Sequence, residues 1–390
     1  MELNVPRLEI PASVRRTLAA VVAAAALTFV LGLVVAPQRI WPSFLISIYY
    51  VTGLGLGAGF FIATQYVSNA GWSVAFRRIP EAITAILPVA GVGALLLVFG
   101  MPTLYEWTHS ATVMGDKILR GKSAWLNESF FMLRLAGYFV IWIVLSRVLV
   151  RNSLRQDVDG DPAHTARSVR SSVFFIVLGV LSFCLASVDL LMSLQPRWYS
   201  TIFGLLTLSG SFLSGLAIIT VLVIFLRRRG YERVFSTDHL YDLGRLMMSF
   251  SVFWVYLWVS QHLLIWYSNF PEETSYYVTR HSGSWGYVSF GNVVLNWLIP
   301  FVLLLPRASK RNDKLLLCAA VTILIGRWVD LYGMVMPARF PEAPPFGLWE
   351  IGPIAGVMAL FFLVVFRALS TRNLVPLRDP YLVESLPQPG

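Results

Sequence analysis

The chain has 390 residues, of which 56% are hydrophobic and 13% are charged, and its mean hydropathy is +0.67. This balance excludes a soluble globular domain of that size and predicts an all-α polytopic membrane protein. The net charge is +10, and the basic residues responsible for it lie between the apolar runs rather than on one polar face. We therefore expect lipids, and no nucleic acid, as partners of the basic residues.

The chain has only two cysteines, Cys184 and Cys318. Each stands alone inside an apolar run, and we expect each to serve as a small packing residue. Disulfides, iron–sulfur ligation and covalent haem attachment all lack the residues they need. We expect no cofactor bound covalently or through metal ligands.

Ten apolar runs reach the length that spans a bilayer. The first follows a polar stretch and is long enough to be a retained helix rather than a cleaved signal. The predicted spans are Thr17–Ala36, Ser43–Val67, Ala82–Gly100, Leu126–Leu149, Ser171–Leu191, Thr201–Leu226, Leu246–Tyr267, Gly286–Leu305, Leu315–Met336 and Leu348–Phe366.

The distribution of basic residues predicts the orientation. With the N-terminus inside, 22 of the 31 Lys and Arg residues fall on the inner side and seven on the outer side. The positive-inside rule therefore places both termini in the cytoplasm. The longest outer connections, Met101–Trp125 and Ser268–Trp285, are candidate docking segments for an extracytoplasmic partner. The tail from Asp379 is proline-rich, and we expect disorder there unless a partner holds it.

Helix ends show an internal repeat. Val188-Asp189-Leu190 closes the fifth span and Val329-Asp330-Leu331 closes the ninth, each with a proline seven residues after the acid. Tryptophans at the starts of the second and sixth spans, and of the fourth and eighth, follow in matching order. The simplest interpretation is a duplicated four-helix unit in parallel orientation. The predicted domains are an N-terminal segment with the first helix (1–42), two four-helix bundles (43–197 and 198–337), and the tenth helix with the tail (338–390).

Several charged residues fall inside or beside these spans. A buried charge at membrane depth is costly, so it should face a partner or water. Arg134 is six residues from Glu128, which is not a helical pairing distance, so its counter-charge should come from another helix. Arg327 and Asp330 are three apart and can pair with each other. For Asp189 the second copy of the motif favours a functional role over a helix end that simply reaches water.

His262 is the histidine clearly inside a span. No second histidine is expected at its depth, so intrinsic haem is not expected, and both a proton relay and a hydrogen-bonded core residue fit. Glu81 and Asp242 fall at cytoplasmic helix starts, where acids stabilise helix N-termini and where a proton path could also begin. The candidate proton-path residues are Glu81, Glu128, Arg134, Asp189, Asp242, His262, Arg327 and Asp330.

Four glycines, Gly53, Gly55, Gly57 and Gly59, lie in the second span. A nucleotide-binding loop is excluded because the run is uncharged and lacks both the preceding strand and the required spacing. Close packing between helices explains these small residues better.

Three long motifs resemble a known family. They are Asp189-Leu-Leu-Met-Ser-Leu-Gln-Pro-Arg-Trp-Tyr-Ser-Thr-Ile-Phe-Gly204, Trp72-Ser-Val-Ala-Phe-Arg-Arg-Ile-Pro-Glu-Ala82, and Asp242-Leu-Gly-Arg-Leu-Met247 together with Ser260-Gln-His-Leu-Leu-Ile-Trp-Tyr-Ser-Asn-Phe-Pro-Glu-Glu273. They resemble the second polysulfide-reductase-type (NrfD-like) membrane subunit of bacterial alternative complex III. The likeness extends over nearly all ten spans.

The resemblance implies a subunit of a quinol:cytochrome c (or other electron-acceptor) oxidoreductase in the bacterial inner membrane. The implied partners are a sister NrfD-like membrane subunit, an iron–sulfur subunit and c-type haem subunits, with a terminal oxidase as a further candidate. Menaquinol or another quinol is the implied substrate of the complex. The resemblance also suggests a scaffold and proton-conducting role for this chain, because the sister subunit is the stronger candidate for quinol oxidation.

Three alternatives stay open at this stage. The chain itself could bind quinol, with His262 or Asp189 as proton acceptor. It could be an independent secondary transporter, although the parallel units and the lack of paired broken helices argue against that class. In a third interpretation every buried charge serves packing alone.

Overall fold

The computed structural model describes residues 8–386. It confirms an all-α polytopic membrane protein with ten helices long and apolar enough to span a membrane, and no strand occurs in this range. The spans are α1 (Ala12–Val35), α2 (Pro37–Val67), α3 (Arg78–Leu104), α4 (Glu128–Asp159), α5 (Ala163–Leu194), α6 (Phe203–Tyr231), α7 (Thr237–Ser268), α8 (Gly283–Leu304), α9 (Asp313–Ala338) and α10 (Leu348–Ser370).

Several helices continue past the apolar runs that predict them. For example, α4 runs on from Leu149 to Asp159, and Gly160 ends it with a φ of +71°. The start of α7 lies before its apolar run, where Ser236 and His239 cap each other. Hydropathy detects only the lipid-embedded part of a helix, whereas caps fix its ends. The shorter helices include Gly71–Phe76, Ser110–Gly115, Lys117–Lys122, Pro271–His281, Arg307–Lys310 and Leu382–Ser385.

Because ten spans alternate in direction, both ends of the described chain lie on one face, here named the terminal face; the opposite one is the far face. On the terminal face Arg77 forms an ion pair with Asp379. On the far face Arg39, at the start of α2, forms a 2.6 Å ion pair with Glu350, at the start of α10. Each of these ion pairs joins two separate segments of the chain at its face, outside the apolar core.

Helices α2 and α6 form the centre of the molecule. The helices α2, α3, α4 and α5 pack as one ring and α6, α7, α8 and α9 as another, with α2 against α6 between them. Helix α1 packs on α10, which packs on α2. At the crossing of α2 and α6, a Cβ at Gly57 would lie 2.5 Å from the carbonyl oxygen of Ser211, and one at Gly215 would lie 2.8 Å from the backbone of Gly57. Close helix packing therefore explains Gly57, as the sequence predicts.

The tail is ordered through residue 386, so the expectation of disorder from Asp379 is wrong for that part; residues 387–390 lie outside the described range. The Ser385 hydroxyl donates to the carbonyl of Trp72 at 2.7 Å and accepts from the backbone N–H of Ala75 at 2.9 Å. Leu382 is buried. Composition alone could not show that this segment finds its partners on the chain's own terminal face.

Candidate functional site: two buried arginine–aspartate centres and a histidine pair

The first centre joins α4 to α5. Arg134 donates from Nε to Asp189 Oδ2 at 2.8 Å and from Nη2 to Oδ1 at 2.9 Å. The same carboxylate accepts from Tyr138 Oη and from Trp125 Nε1, both at 2.9 Å. The counter-charge of Arg134 thus comes from another helix, as the spacing predicts. Two hydrogen bonds from Arg134 and one each from Tyr138 and Trp125 therefore occupy both carboxylate oxygens and hold Asp189 in place.

Aromatic rings cover the first centre. The Arg134 guanidinium lies 4.1 Å from the ring centre of Trp125 and 4.4 Å from that of Phe130, and it also donates to the Trp125 carbonyl at 2.9 Å. Such stacking stabilises a desolvated cation. Glu128, by contrast, is exposed in the first turn of α4 and lies apart from this centre. Its position suits stabilisation of the helix N-terminus.

The second centre is built on α9. Arg327 donates from Nη1 to Asp330 Oδ2 at 2.6 Å, within one helical turn as the spacing predicts. Its Nη2 donates to the Thr207 carbonyl and to Ser211 Oγ on α6, both at 3.1 Å. The approach depends on Gly210, where a Cβ would lie 2.6 Å from Arg327 Nη1. The pair is buried and is tied to the central helix.

Asparagines on α8 complete the second centre. Asn292 Nδ2 donates to Asp330 Oδ1 at 2.9 Å, and Asn296 Nδ2 donates to Asn292 Oδ1 at 2.7 Å. In these contacts Asp330 accepts two hydrogen bonds, one from Arg327 and one from Asn292, whereas Asp189 accepts four. It is the less saturated of the two carboxylates.

A hydroxyl bridge lies between the two helix rings. Thr207 on α6 donates to Ser187 Oγ on α5 at 2.8 Å, and the Tyr49 hydroxyl of α2 lies 2.7 Å from the same oxygen. Ser187 is two residues from Asp189, and the Thr207 carbonyl accepts from Arg327. Buried polar groups thus extend from the neighbourhood of one centre to the other.

The expectation that no second histidine lies at the depth of His262 is wrong. His262 Nε2 and His281 Nε2 are 3.2 Å apart, because the connector helix Pro271–His281 folds back against α7. His262 Nδ1 lies 2.8 Å from the Trp258 carbonyl, which can only accept, so Nδ1 carries a proton. We assign the neutral tautomer on that basis, with His281 donating to His262 Nε2.

Arg280 anchors the connector helix. It donates to the carbonyls of Gly333 at 2.9 Å and Met334 at 2.8 Å, near the end of α9, and its guanidinium lies 3.3 Å from the ring centre of Tyr276. Partial burial, and next the neighbouring charge of Arg280, lower the pKa of His281. The neutral form of His281 is therefore favoured near pH 7.

Two cavities meet at the histidine pair. A small one of about 50 Å³ reaches from His262 and His281 to Asn292 and Asp330. A groove of about 670 Å³ lies on the other side of the pair, lined by aromatic rings that include Trp258, Trp266 and Tyr277. A water needs roughly 10–15 Å³ of such space and polar partners, both of which the small cavity offers. The histidine pair and Asp330 can therefore be connected by water.

Glu81 and Asp242 lie on the terminal face, away from both centres. Glu81 is buried and accepts from Arg78 at 2.6 Å, and Arg78 also forms an ion pair with Asp157. Asp242 forms a longer 3.3 Å pair with the exposed Arg245. The structure therefore groups the eight predicted residues as two separate centres, a histidine in a pair, an exposed Glu128 and two terminal-face acids.

Sequence reasoning missed several members of these centres. Asn292 and Asn296 are four apart in an apolar span, a spacing that places two costly amides on one inward face. Tyr138 is four residues after Arg134 and could have been found in the same way. His281 and Arg280 could not have been found from the sequence, because they belong to a connection whose path depends on tertiary packing. Within residues 8–386, no three His, Cys, Asp or Glu side chains converge as a metal site.

No protein-family model matches the chain, and no curated protein is significantly similar to it. Fold and site together define a polytopic helical membrane protein that carries two buried arginine–aspartate centres, one of them next to a cavity and a histidine pair.

Proposed function

We propose that the chain is an integral membrane subunit of a quinol:electron-acceptor oxidoreductase of the alternative complex III type, which supports quinol oxidation and moves protons coupled to it. The long motifs given above support the family. The observation that carries the proton role is the position of Asp330, buried beside a water-sized cavity that reaches a histidine pair. Proton movement within a membrane needs such titratable groups linked by water.

In this proposal the two centres differ in role. Asp189 is held in place by Arg134 and two further side-chain donors, which suits a structural anchor. Asp330 exchanges protons through the small cavity with His262 and His281, and from there with the far face. The terminal face is cytoplasmic, because most Lys and Arg residues belong to the connections on that side. The membrane is the bacterial inner membrane.

The first test is purification of the tagged chain from its native membrane in mild detergent. Subunit masses, a haem stain and quinol:cytochrome c activity are measured on the same sample. Co-purification with a sister membrane subunit, an iron–sulfur subunit and haem c subunits supports the assignment. A colourless chain that purifies alone contradicts it and brings the transporter alternative forward.

The second test separates proton movement from assembly. Asp330→Asn removes the titratable group while keeping its size, and Glu232→Gln, an exposed residue, is the matched control. We expect the Asp330 variant to assemble and oxidise quinol but to lose proton release per electron in liposomes. Unchanged proton release in assembled Asp330→Asn and Asp189→Asn complexes favours the packing interpretation.

A second candidate function is quinol binding by this chain itself. The aromatic groove next to His262 and His281 favours it, since a flat apolar ring with two hydroxyls suits aromatic walls and an imidazole acceptor. Of the two acceptors considered from sequence, only His262 lines this groove, and a quinol hydroxyl bound at its Nε2 would replace the hydrogen bond from His281. A photo-affinity quinone analogue that labels the peptide containing Trp266 supports this function, whereas labelling confined to the sister subunit counts against it.

A further inference from the structure

A cavity of about 940 Å³ lies at the terminal-face end of α4, between α3, α4 and the segment after α10. Its inner wall is apolar and includes Ala85, Pro88, Ile143 and Val150. Of the eight candidate proton-path residues, only Glu81 forms part of its wall.

Four arginines line the cavity. Arg147, Arg151 and Arg155 follow one another at intervals of four residues and so share one face of α4, and Arg372 joins them from the end of α10. Within residues 8–386 none of the four forms an ion pair. Like charges at this spacing repel each other. Such an arrangement is stabilised when an anion occupies the space between them.

The wall has two acidic residues against four arginines, and each acid already has another partner. Glu81 is already paired with Arg78 at 2.6 Å, and Asp159 is paired with His164 at 2.8 Å. The wall therefore keeps a net positive charge.

Two buried oxygens at the cavity have no hydrogen-bond partner among the described residues. They are Ser146 Oγ and Glu81 Oε1, on side chains that are 4% and 1% exposed. An unsatisfied buried polar atom is costly, so a ligand or water is expected there. Ser146 can donate to a phosphate oxygen, and the Glu81 oxygen can accept from a hydroxyl. A glycerol phosphate headgroup provides both.

The position of the cavity suits a lipid rather than a soluble anion. Helix α4 has 32 residues, about 48 Å at the usual rise, which exceeds the ~30 Å hydrocarbon core. The three arginines lie toward the terminal-face end of this helix, in the part by which its length exceeds that of the core. Val144 and Val148, next to the cavity, are exposed apolar side chains suited to acyl chains.

We propose that this cavity binds an anionic phospholipid, with the guanidinium groups of Arg147, Arg151, Arg155 and Arg372 around its phosphate and the apolar wall against an acyl chain. Basic pockets between membrane helices on the side of the anionic leaflet are suited to such headgroups. Phosphatidylglycerol, which has a phosphate and free hydroxyls, is the probe chosen for the test.

The experiment uses the full chain purified in dodecyl maltoside. Phosphatidylglycerol, phosphatidylcholine and inorganic phosphate are titrated separately, and thermal unfolding and lipid bound per chain by native mass spectrometry are measured. The variant is Arg147→Gln/Arg151→Gln/Arg155→Gln. The control Arg228→Gln/Arg229→Gln/Arg233→Gln removes the same charge from exposed arginines on the same face. The single variant Arg151→Gln is the fallback if the triple variant does not fold.

We expect phosphatidylglycerol to bind the wild type and the control with equal affinity and the cavity variant about tenfold more weakly or worse. Phosphatidylcholine and phosphate should have little effect. Equal stabilisation by inorganic phosphate overturns the proposal in favour of a soluble anion. Equal binding of phosphatidylcholine, unchanged binding by the cavity variants, or no bound phosphatidylglycerol overturns it as well.

Discussion

His262 and His281 are 19 residues apart in the chain, yet their Nε2 atoms lie 3.2 Å from each other. The contact closes the far-face end of α7 against the connector helix. It also divides the aromatic groove from the small cavity at Asp330. A hydrogen bond between the two rings requires at least one of them to be neutral, so the contact is sensitive to pH.

The first prediction concerns that pH dependence. The pKa of His281 is lowered in the fold by partial burial and by Arg280. The unfolded chain therefore takes up the proton first, and this contribution to stability, complete above about pH 6.5, is lost as pH falls toward the lowered pKa. Thermal unfolding followed by tryptophan fluorescence should show a lower midpoint at pH 5 than at pH 7.5. His281→Gln should reduce the difference, while the exposed control His109→Gln should not.

The second prediction concerns the first centre. Arg134→Met leaves Asp189 buried without its counter-charge and should destabilise the chain by about 3–5 kcal/mol. Tyr138→Phe removes one hydrogen bond to the same carboxylate and should cost about 1 kcal/mol. Unfolding by detergent titration gives both values. If the double variant Arg134→Met/Asp189→Leu is no more stable than Arg134→Met alone, the assumed cost of the unpaired carboxylate is wrong.

The third prediction concerns the crossing of α2 and α6. Gly57→Ala places a methyl group against the Ser211 carbonyl and should cost about 1–3 kcal/mol through overpacking. Gly137→Ala on α4 is the matched control, because nothing lies within 4 Å of a Cβ there. Removing a helical glycine at that site should be neutral or stabilise by up to about 1 kcal/mol. Similar effects of the two substitutions would contradict the close approach of the helices.

The fourth prediction concerns the tail. Asp379→Ala removes the partner of the buried Arg77 and should lower the thermal midpoint, with faster proteolysis after α10. Leu382→Ala should have a similar but smaller effect, since Leu382 is 6% exposed. Its neighbour Val383, 80% exposed, is the control, and Val383→Ala should change neither readout.

Sequence reasoning predicts the spans well, because apolar length dominates the free energy of a membrane helix and is read directly from the chain. It also predicts the pairing of Arg327 with Asp330, which depends only on helical spacing. The partner of Arg134 could be assigned to another helix but not identified, since which helix faces which is decided by packing. His281 and the ordered tail escaped prediction for the same reason.

The Gly57–Gly215 crossing restricts how the molecule can move. Backbone atoms of α2 and α6 lie against each other there, so the two helices cannot move closer at this point without steric overlap. The small residues therefore let the two central helices pack in direct backbone contact, which a larger side chain at either glycine would separate. In contrast, the regular winding of α8 is interrupted by the π-helical turn Val294–Leu298, which contains Asn296 and follows Asn292, the residue that donates to Asp330.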